Sequence, residues 1–160
     1  MKGTQEWVNE TGFDGGKPVK RRKRHILLDT MGYLIFVRAH AANIYDGQAA
    51  QSVLQGGFCI APTIRKIWAD CAYRGQPLIE WLQQQFNCAV EITEKNKMGE
   101  RFQVLPRRWV VERTLVWLGR FRRLSKGYER KPTSSEGHVY IASIRLILRK
   151  IFKNYCKNPF

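Results

Sequence analysis

The stretch "RRWVVERTLVWLGRFRRLSKGYER", residues 107–130, holds eight arginines or lysines and only two acids. Its apolar spacing predicts a helix from about Arg107 to Leu124, with basic residues on the outward face. Glu112 stands among the apolar side chains of this stretch, so we expect its carboxylate at the seam between the helix and a sheet. A charge at such a seam requires a partner.

Two partners for Glu112 are open. Arg108 lies one turn earlier, at the spacing of an ion pair that contributes roughly 0.2–0.5 kcal/mol. A divalent cation shared with a second carboxylate is the other partner. Asp70 is the natural second ligand, because "IWADCAYRG" places it at the end of an apolar strand, where α/β sheets build their sites. An Asp at a strand end is also a common turn residue.

Composition limits the class of protein and the kind of partner. The chain has 160 residues and 44 % apolar residues, enough for one folded domain, and a net charge of +15. A surface of this sign attracts polyanions, nucleic acid above all. The four cysteines form no CxxC pair, so no zinc site is expected. Nothing at the N-terminus has the order of a signal peptide, so we expect a cytoplasmic, nucleoid-associated protein.

Hydrophobic periodicity predicts an N-terminal loop followed by elements in the order β β α β α β α α. Strands that alternate with helices indicate an α/β fold, a mixed sheet flanked by helices. The predicted elements are a hairpin of strands 25–30 and 33–40, a helix over 46–54 closed by Gly56 and Gly57, a strand ending near Asp70 or Cys71, a helix over 77–86, a strand over 88–93, the helix from Arg107, and a last helix from about 133–136.

Two basic clusters are candidates for contact with DNA, residues 17–24 and the helix from Arg107. Such clusters neutralise DNA phosphates without recognising the base sequence. A charged surface that is only solvated and binds nothing has the same sequence pattern. The candidate DNA-binding residues are Lys17, Lys20, Arg21, Arg22, Lys23, Arg24, Arg107, Arg108, Arg113, Arg120, Arg122, Arg123 and Lys126.

The last helix carries an apolar stripe opposite three basic residues. Its apolar members are Ile141, Ile144, Leu148, Ile151 and Tyr155. This pattern is also typical of a membrane-surface helix. We expect the stripe to pack against the core, because the preceding apolar elements need covering.

Four blocks of the sequence together resemble a known family. "GGKPVKRRKRHILLDTMGYL", "HAANIYDG", "WADCAYRG" and the stretch over 107–130 occur in this order. They are similar to consecutive blocks of the DDE transposases encoded by bacterial insertion sequences, in the group named after insertion sequence five. The resemblance runs from about Gly12 to Arg130, most of the chain.

The resemblance implies a ribonuclease-H-like fold in which an Asp-Asp-Glu triad binds two Mg²⁺ or Mn²⁺ ions. The second Asp of the family falls on Asp70 and the Glu on Glu112, and both are therefore expected catalytic and metal-binding residues. Arg108 matches the family's Arg-x-x-x-Glu spacing. The family's lysine, expected more than one turn beyond the Glu, is replaced here by Gly119 and Arg120.

The first Asp of the family's triad is expected upstream of residues 11–25, and residues 1–10 contain no aspartate. We therefore expect the chain to begin just after that Asp and its sheet to lack the first, central strand. Two unpaired backbone edges would then face each other, and the N-terminal arm or a partner would fill the gap.

These expectations define a transposase fragment whose complete form cleaves and rejoins insertion-sequence DNA, with this chain inactive alone. Its expected parts are a basic arm (1–24), a partial catalytic domain (25–130) and a C-terminal amphipathic helix packed on that domain (131–160). The expected partners are double-stranded DNA and an upstream-frame product or a homo-oligomer, not a membrane. The alternative is a non-catalytic DNA-binding product that modulates the full-length transposase.

Overall fold

The computed structural model describes residues 12–14, 19–93 and 106–157. The described residues form an α/β fold, as predicted. Its elements are β1 (Gly12–Asp14), β2 (Val19–Leu28), β3 (Leu34–Ala41), α1 (Asp46–Ile60), β4 (Lys66–Asp70), α2 (Gln76–Phe86), β5 (Ala89–Thr93), α3 (Pro106–Gly119) and α4 (Pro132–Lys157), with short 3₁₀ turns at Cys71–Tyr73 and Arg122–Leu124.

The strands form two sheets, which differ from the single mixed sheet that was predicted. β2 pairs antiparallel with β1 and with β3, and β4 pairs in parallel with β5. Within the described residues β2 and β4 share no backbone ladder. β2 is the middle strand of the three-stranded sheet, and β4 is paired only with β5 among the described strands.

The basic residues before His25 are not all in a loop, which corrects the prediction of an unstructured arm up to residue 24. β2 begins at Val19 and runs for ten residues. Arg22, Lys23 and Arg24 are paired in register with Ala41, His40 and Ala39 of β3. The hydrogen bonds of the ladder and the side-chain contacts of these cations outweigh the weak strand propensity of a charged run.

Helix α1 continues six residues beyond the predicted stop at Leu54, through Gly56 and Gly57 to Ile60. A Cβ atom at Gly56 would lie 2.3 Å from the Cζ atom of Phe36, and one at Gly57 would lie 2.3 Å from a methyl group of Leu27. The glycine pair is therefore a point of close approach between α1 and the hairpin. It does not end the helix.

Helix α3 ends at Gly119, five residues earlier than predicted. The backbone N–H groups of Arg120 and Phe121 donate to the carbonyls of Trp117 and Leu118, the tighter i to i+3 pattern of a helix end. The chain then turns inward and buries Leu124 against Val139 of α4.

Two apolar clusters hold these elements together. The first joins α1, β4 and α2 through buried residues such as Phe58, Ile67 and Leu82. The second joins β3 and α3 to α4 through Val37, Leu118, Val139 and Ala142. Helix α1 also packs on β2 and β3, so it joins the two sheets.

The apolar stripe of α4 is exposed, so the prediction that it packs against the core is wrong. Ile141, Ile144, Leu148, Ile151 and Tyr155 are between 47 % and 65 % exposed. Packing uses the opposite face of the helix, where Val139 and Ala142 are buried. Among the described helices, none has the length and apolarity required to cross a bilayer.

Candidate functional site

A cavity of about 380 Å³ lies between β2 and β4, and α3 forms another of its walls. Apolar residues from β2, α1, β4 and α2 make up most of the lining. The polar and charged lining residues are Arg24, His25, Trp68, Asp70, Tyr73, Thr93, Arg108 and Glu112. Both acids that the sequence analysis singled out therefore face the same cavity, although 41 residues separate them in the chain.

Asp70 is the last residue of β4, as the sequence predicted. One carboxylate oxygen accepts a hydrogen bond from the backbone N–H of Ala72 at 3.0 Å, which caps the 3₁₀ turn that follows the strand. The residue is exposed. Asp70 therefore forms the turn and also lies at the cavity wall. Its role as a turn residue does not prevent it from facing a ligand in the cavity.

Glu112 is exposed rather than buried, which corrects the expectation of a carboxylate enclosed at a helix–sheet seam. Its side chain is 57 % exposed, and one oxygen accepts a hydrogen bond from Arg108 Nε at 2.8 Å. The i to i+4 ion pair with Arg108 is confirmed. The neighbouring apolar residues Trp109, Leu115 and Val116 are half or more exposed too, so this face of α3 is open.

Sequence reasoning missed a buried polar network that lines the same cavity. The hydroxyl group of Tyr73 is hydrogen-bonded to His25 Nδ1, and His25 Nε2 lies 3.8 Å from a carboxylate oxygen of Asp46. The ring of His25 also stacks on that of His40, with the centroids 4.6 Å apart. The position of Tyr73, three residues after Asp70 in "DCAYRG", is the sequence signal that could have indicated its presence at the site.

Burial sets the protonation states in this network. The pKa of His25 is lowered to about 4, chiefly by desolvation and then by the neighbouring His40, against the opposing charge of Asp46. Burial, with the charges of Asp46 and Asp70, raises the pKa of Tyr73 to about 12. At neutral pH both groups are therefore uncharged. A ring proton on Nε2, the nitrogen that faces Asp46, leaves Nδ1 to accept from the Tyr73 hydroxyl.

The donor set at the cavity suits a hard divalent cation. Mg²⁺ is commonly bound through one or two carboxylates, with water and substrate oxygens completing its shell. Asp70 and Glu112 supply two carboxylates. The described residues hold no group of three or more His, Cys, Asp or Glu side chains that could bind a metal. The described side chains thus fit a two-ligand site, in which Glu112 would also remain close to Arg108.

Three cations of the predicted DNA-binding run are engaged within the protein. Arg22 donates to the backbone carbonyls of Glu129 and Arg130, Lys23 pairs with Asp46 at 2.9 Å, and Arg24 donates to Ser135 Oγ and to the carbonyl of Leu124, each at 3.0 Å. These contacts tie β2 to α1, to the segment before α4 and to the first turn of α4. Lys17 lies outside the described residues, as do the side chains of Lys20, Arg21 and Arg107.

The remaining predicted cations lie on α3 and the turn that follows it. Arg113 donates to the carbonyl of Met31 at 2.7 Å, and its guanidinium lies over the rings of Trp109 and Trp117. Arg123 pairs with Glu129 at 3.1 Å. Arg120, Arg122 and Lys126 are exposed.

A second cavity, of about 540 Å³, lies between the β2–β3 turn, α3 and α4. Among the described residues, no acid lines it. Its basic residues include two that the sequence analysis assigned to DNA and four on α4 that it did not: Arg113, Arg120, Arg145, Arg149, Lys150 and Lys153. Their convergence depends on the packing of α4 against β3, which no spacing in the sequence reveals.

Comparison with known proteins yields a family match. A family model described as Transposase DDE domain matches residues 1–145. No curated protein and no solved structure matches the chain.

Proposed function

We propose that this chain, which belongs to the transposase DDE domain family, contributes Asp70 and Glu112 to the metal-dependent phosphodiester chemistry of a DNA transposase. The observation that carries the proposal is that the two carboxylates line one cavity from different elements, the end of β4 and the first turns of α3. Two acids can share a cation only if both line the same cavity.

A divalent ion, when bound, supplies Lewis acidity for an in-line attack on a phosphodiester. The chain's own residues position the ligands. The backbone N–H of Ala72 fixes the carboxylate of Asp70, and Arg108 orients that of Glu112. Arg108 is also near enough to the site to contact a substrate phosphate, since a guanidinium pairs with phosphate oxygens as readily as with a carboxylate.

Double-stranded DNA is the proposed substrate, and the basic cavity beside α4 supports a place for its backbone. Six cations line that cavity without an acid among them. Phosphate contacts of this kind fix the position of a duplex and release counterions. The rings of Trp117 and Phe121 form part of the same wall, which would add apolar contact to the sugar edges.

The chain alone is proposed to be inactive. By the family resemblance, a third acid is required on a strand that lies between the counterparts of β2 and β4. The cavity between these two strands, lined by Leu27 and Ile67 among other apolar residues, supports a place for such a strand, which is not among the strands of the described residues. The insertion-sequence-five group remains the proposed subgroup.

Metal-dependent DNA binding tests the proposal. Mn²⁺ should tighten binding of the full chain to a labelled duplex, and Asp70→Asn and Glu112→Gln should each abolish the tightening while leaving the metal-free affinity unchanged. Glu80→Gln, which removes an exposed carboxylate on α2, is the matched control and should retain it. Tightening that survives both site substitutions would contradict the proposed roles of these acids. Nicking of supercoiled plasmid by the chain alone, lost in Glu112→Gln, would contradict its inactivity.

A second candidate is a DNA-binding protein without catalysis that modulates a full-length transposase. The exposed cations Arg120, Arg122 and Lys126 favour this candidate, because they can bind DNA phosphates without Asp70 or Glu112. Binding that weakens with salt but shows no dependence on divalent ions would support this candidate over the first.

A further inference from the structure

Helix α4 carries a large apolar surface on the side turned away from the domain. Its members are Ile141, Ile144, Leu148, Ile151, Phe152 and Tyr155, each between 47 % and 65 % exposed. The family match ends at residue 145, so four of the six lie beyond it. We call these six residues the α4 seam.

The α4 seam has the spacing of a helix-pairing surface. Ile141, Ile144, Leu148, Ile151 and Tyr155 are separated by steps of three, four, three and four residues, the a/d repeat of a coiled coil. The residues that α4 buries against its own domain, including Val139 and Ala142, lie on the opposite side of the helix. The seam is therefore presented outward along the whole second half of α4.

The seam is also self-complementary when two copies run antiparallel. Around Leu148 four of its members are placed symmetrically, because Ile141 and Tyr155 lie seven residues to either side and Ile144 and Phe152 lie four. A two-fold axis through Leu148 therefore sets Ile141 against Tyr155 of the second copy and Ile144 against Phe152. Two-fold pairing of identical surfaces requires this kind of symmetry.

The size and charge of the seam suit association of two copies. Taking about 200 Å² for a fully exposed large side chain, the six residues expose roughly 700 Å², near the ~800 Å² per partner of a standard interface. About this axis Ile151 faces position 145 of the second copy, where the guanidinium of Arg145 lies over Phe121 of its own chain. Lys150 is likewise turned to Tyr33. The charged residue that the pairing places against the seam is therefore already engaged within its own chain.

We propose that the α4 seam is a homodimer interface, in which two copies of this chain pair their α4 helices antiparallel about Leu148. The proposal goes beyond transposition and does not depend on the roles of Asp70 and Glu112. Because each copy has a net charge of +15, long-range repulsion opposes pairing and salt screens it. The dimer therefore strengthens as ionic strength rises.

Sedimentation equilibrium of the full chain over a range of protein and salt concentrations tests the proposal. Leu148→Glu puts two like charges at the axis and should weaken dimerisation by more than about tenfold. Arg149→Gln changes the net charge by the same amount on an exposed position off the seam, and it should leave dimerisation unchanged. Circular dichroism would show that both variants keep their helices, as expected for exposed positions.

A mixing experiment tests the antiparallel register. Ile144→Glu and Phe152→Lys should each be monomeric alone and form a mixed dimer together, because residue 144 faces residue 152 across the axis. A chain that stays monomeric at high salt, or Leu148→Glu that dimerises like the wild type, would overturn the proposal. A monomer that binds phosphatidylglycerol vesicles through the seam, more weakly as salt rises, would overturn it in favour of a lipid surface. Mixed variants that stay apart would overturn the register.

Discussion

The neutral imidazole of His25 makes the stability of this protein depend on pH in a defined window. The native ring has a pKa of about 4 because it is buried beside His40, while an unfolded histidine titrates near 6.5. Between these values the unfolded chain binds a proton that the native chain does not. The free energy of unfolding therefore falls as the pH drops from 6.5 to 4, and His25 contributes no further change above or below that window.

The size of this effect follows from the gap between the two pKa values. It corresponds to a loss of roughly 3 kcal/mol between pH 7 and pH 4. Urea denaturation at a series of pH values, followed by tryptophan fluorescence, measures it. The variant His25→Gln retains an acceptor for the Tyr73 hydroxyl but does not titrate at position 25, so subtracting its profile isolates the contribution of His25. Parallel profiles for the variant and the wild type over this window would refute the reasoning.

Two further predictions concern contacts that fix the fold around the site. Gly56→Val should lower the free energy of unfolding by about 2–3 kcal/mol, because its Cβ would lie 2.3 Å from the ring of Phe36, and urea denaturation measures the loss. Arg24→Met should cost about 2 kcal/mol in the same assay, because Ser135 Oγ and the Leu124 carbonyl lose a charged donor.

Each of these two predictions has a control within the chain. Gly137→Ala introduces a Cβ that meets nothing within 4 Å, so it should not destabilise the protein. Lys126→Met removes an exposed cation and should change stability by less than about 0.5 kcal/mol. Equal losses in the controls and the test variants would show that the contacts named here do not carry the effect.

The sequence predicts the elements whose signals are local. Pro77 in the first turn of α2 and the left-handed Asn87 after it bracket that helix, and the alternation over 89–93 marks β5. Gly56 and Gly57 were misread because their reason is Phe36 on another element, which no local pattern contains. The cations of β2 were misread for the same cause, since their partners lie about 100 residues later.

The sequence selects Asp70 and Glu112 as candidate site residues, but it does not show what surrounds them. Position at a strand end and inside an apolar helix was enough to select Asp70 and Glu112, and the structure puts both at one cavity. The expected burial of Glu112 failed because its apolar neighbours face an open side of α3 rather than a sheet. Periodicity shows that a face is apolar, but only packing decides whether another element covers it.

The central claim, that Asp70 and Glu112 share one divalent ion, is tested most directly by Mn²⁺ binding to the full chain, followed by electron paramagnetic resonance in the absence of DNA. Asp70→Asn and Glu112→Gln should each weaken the binding, and the double variant should be no weaker than the worse single variant, since one shared ion is lost only once. Glu80→Gln should bind as the wild type does. Mn²⁺ binding that is unchanged in both single variants would contradict the claim.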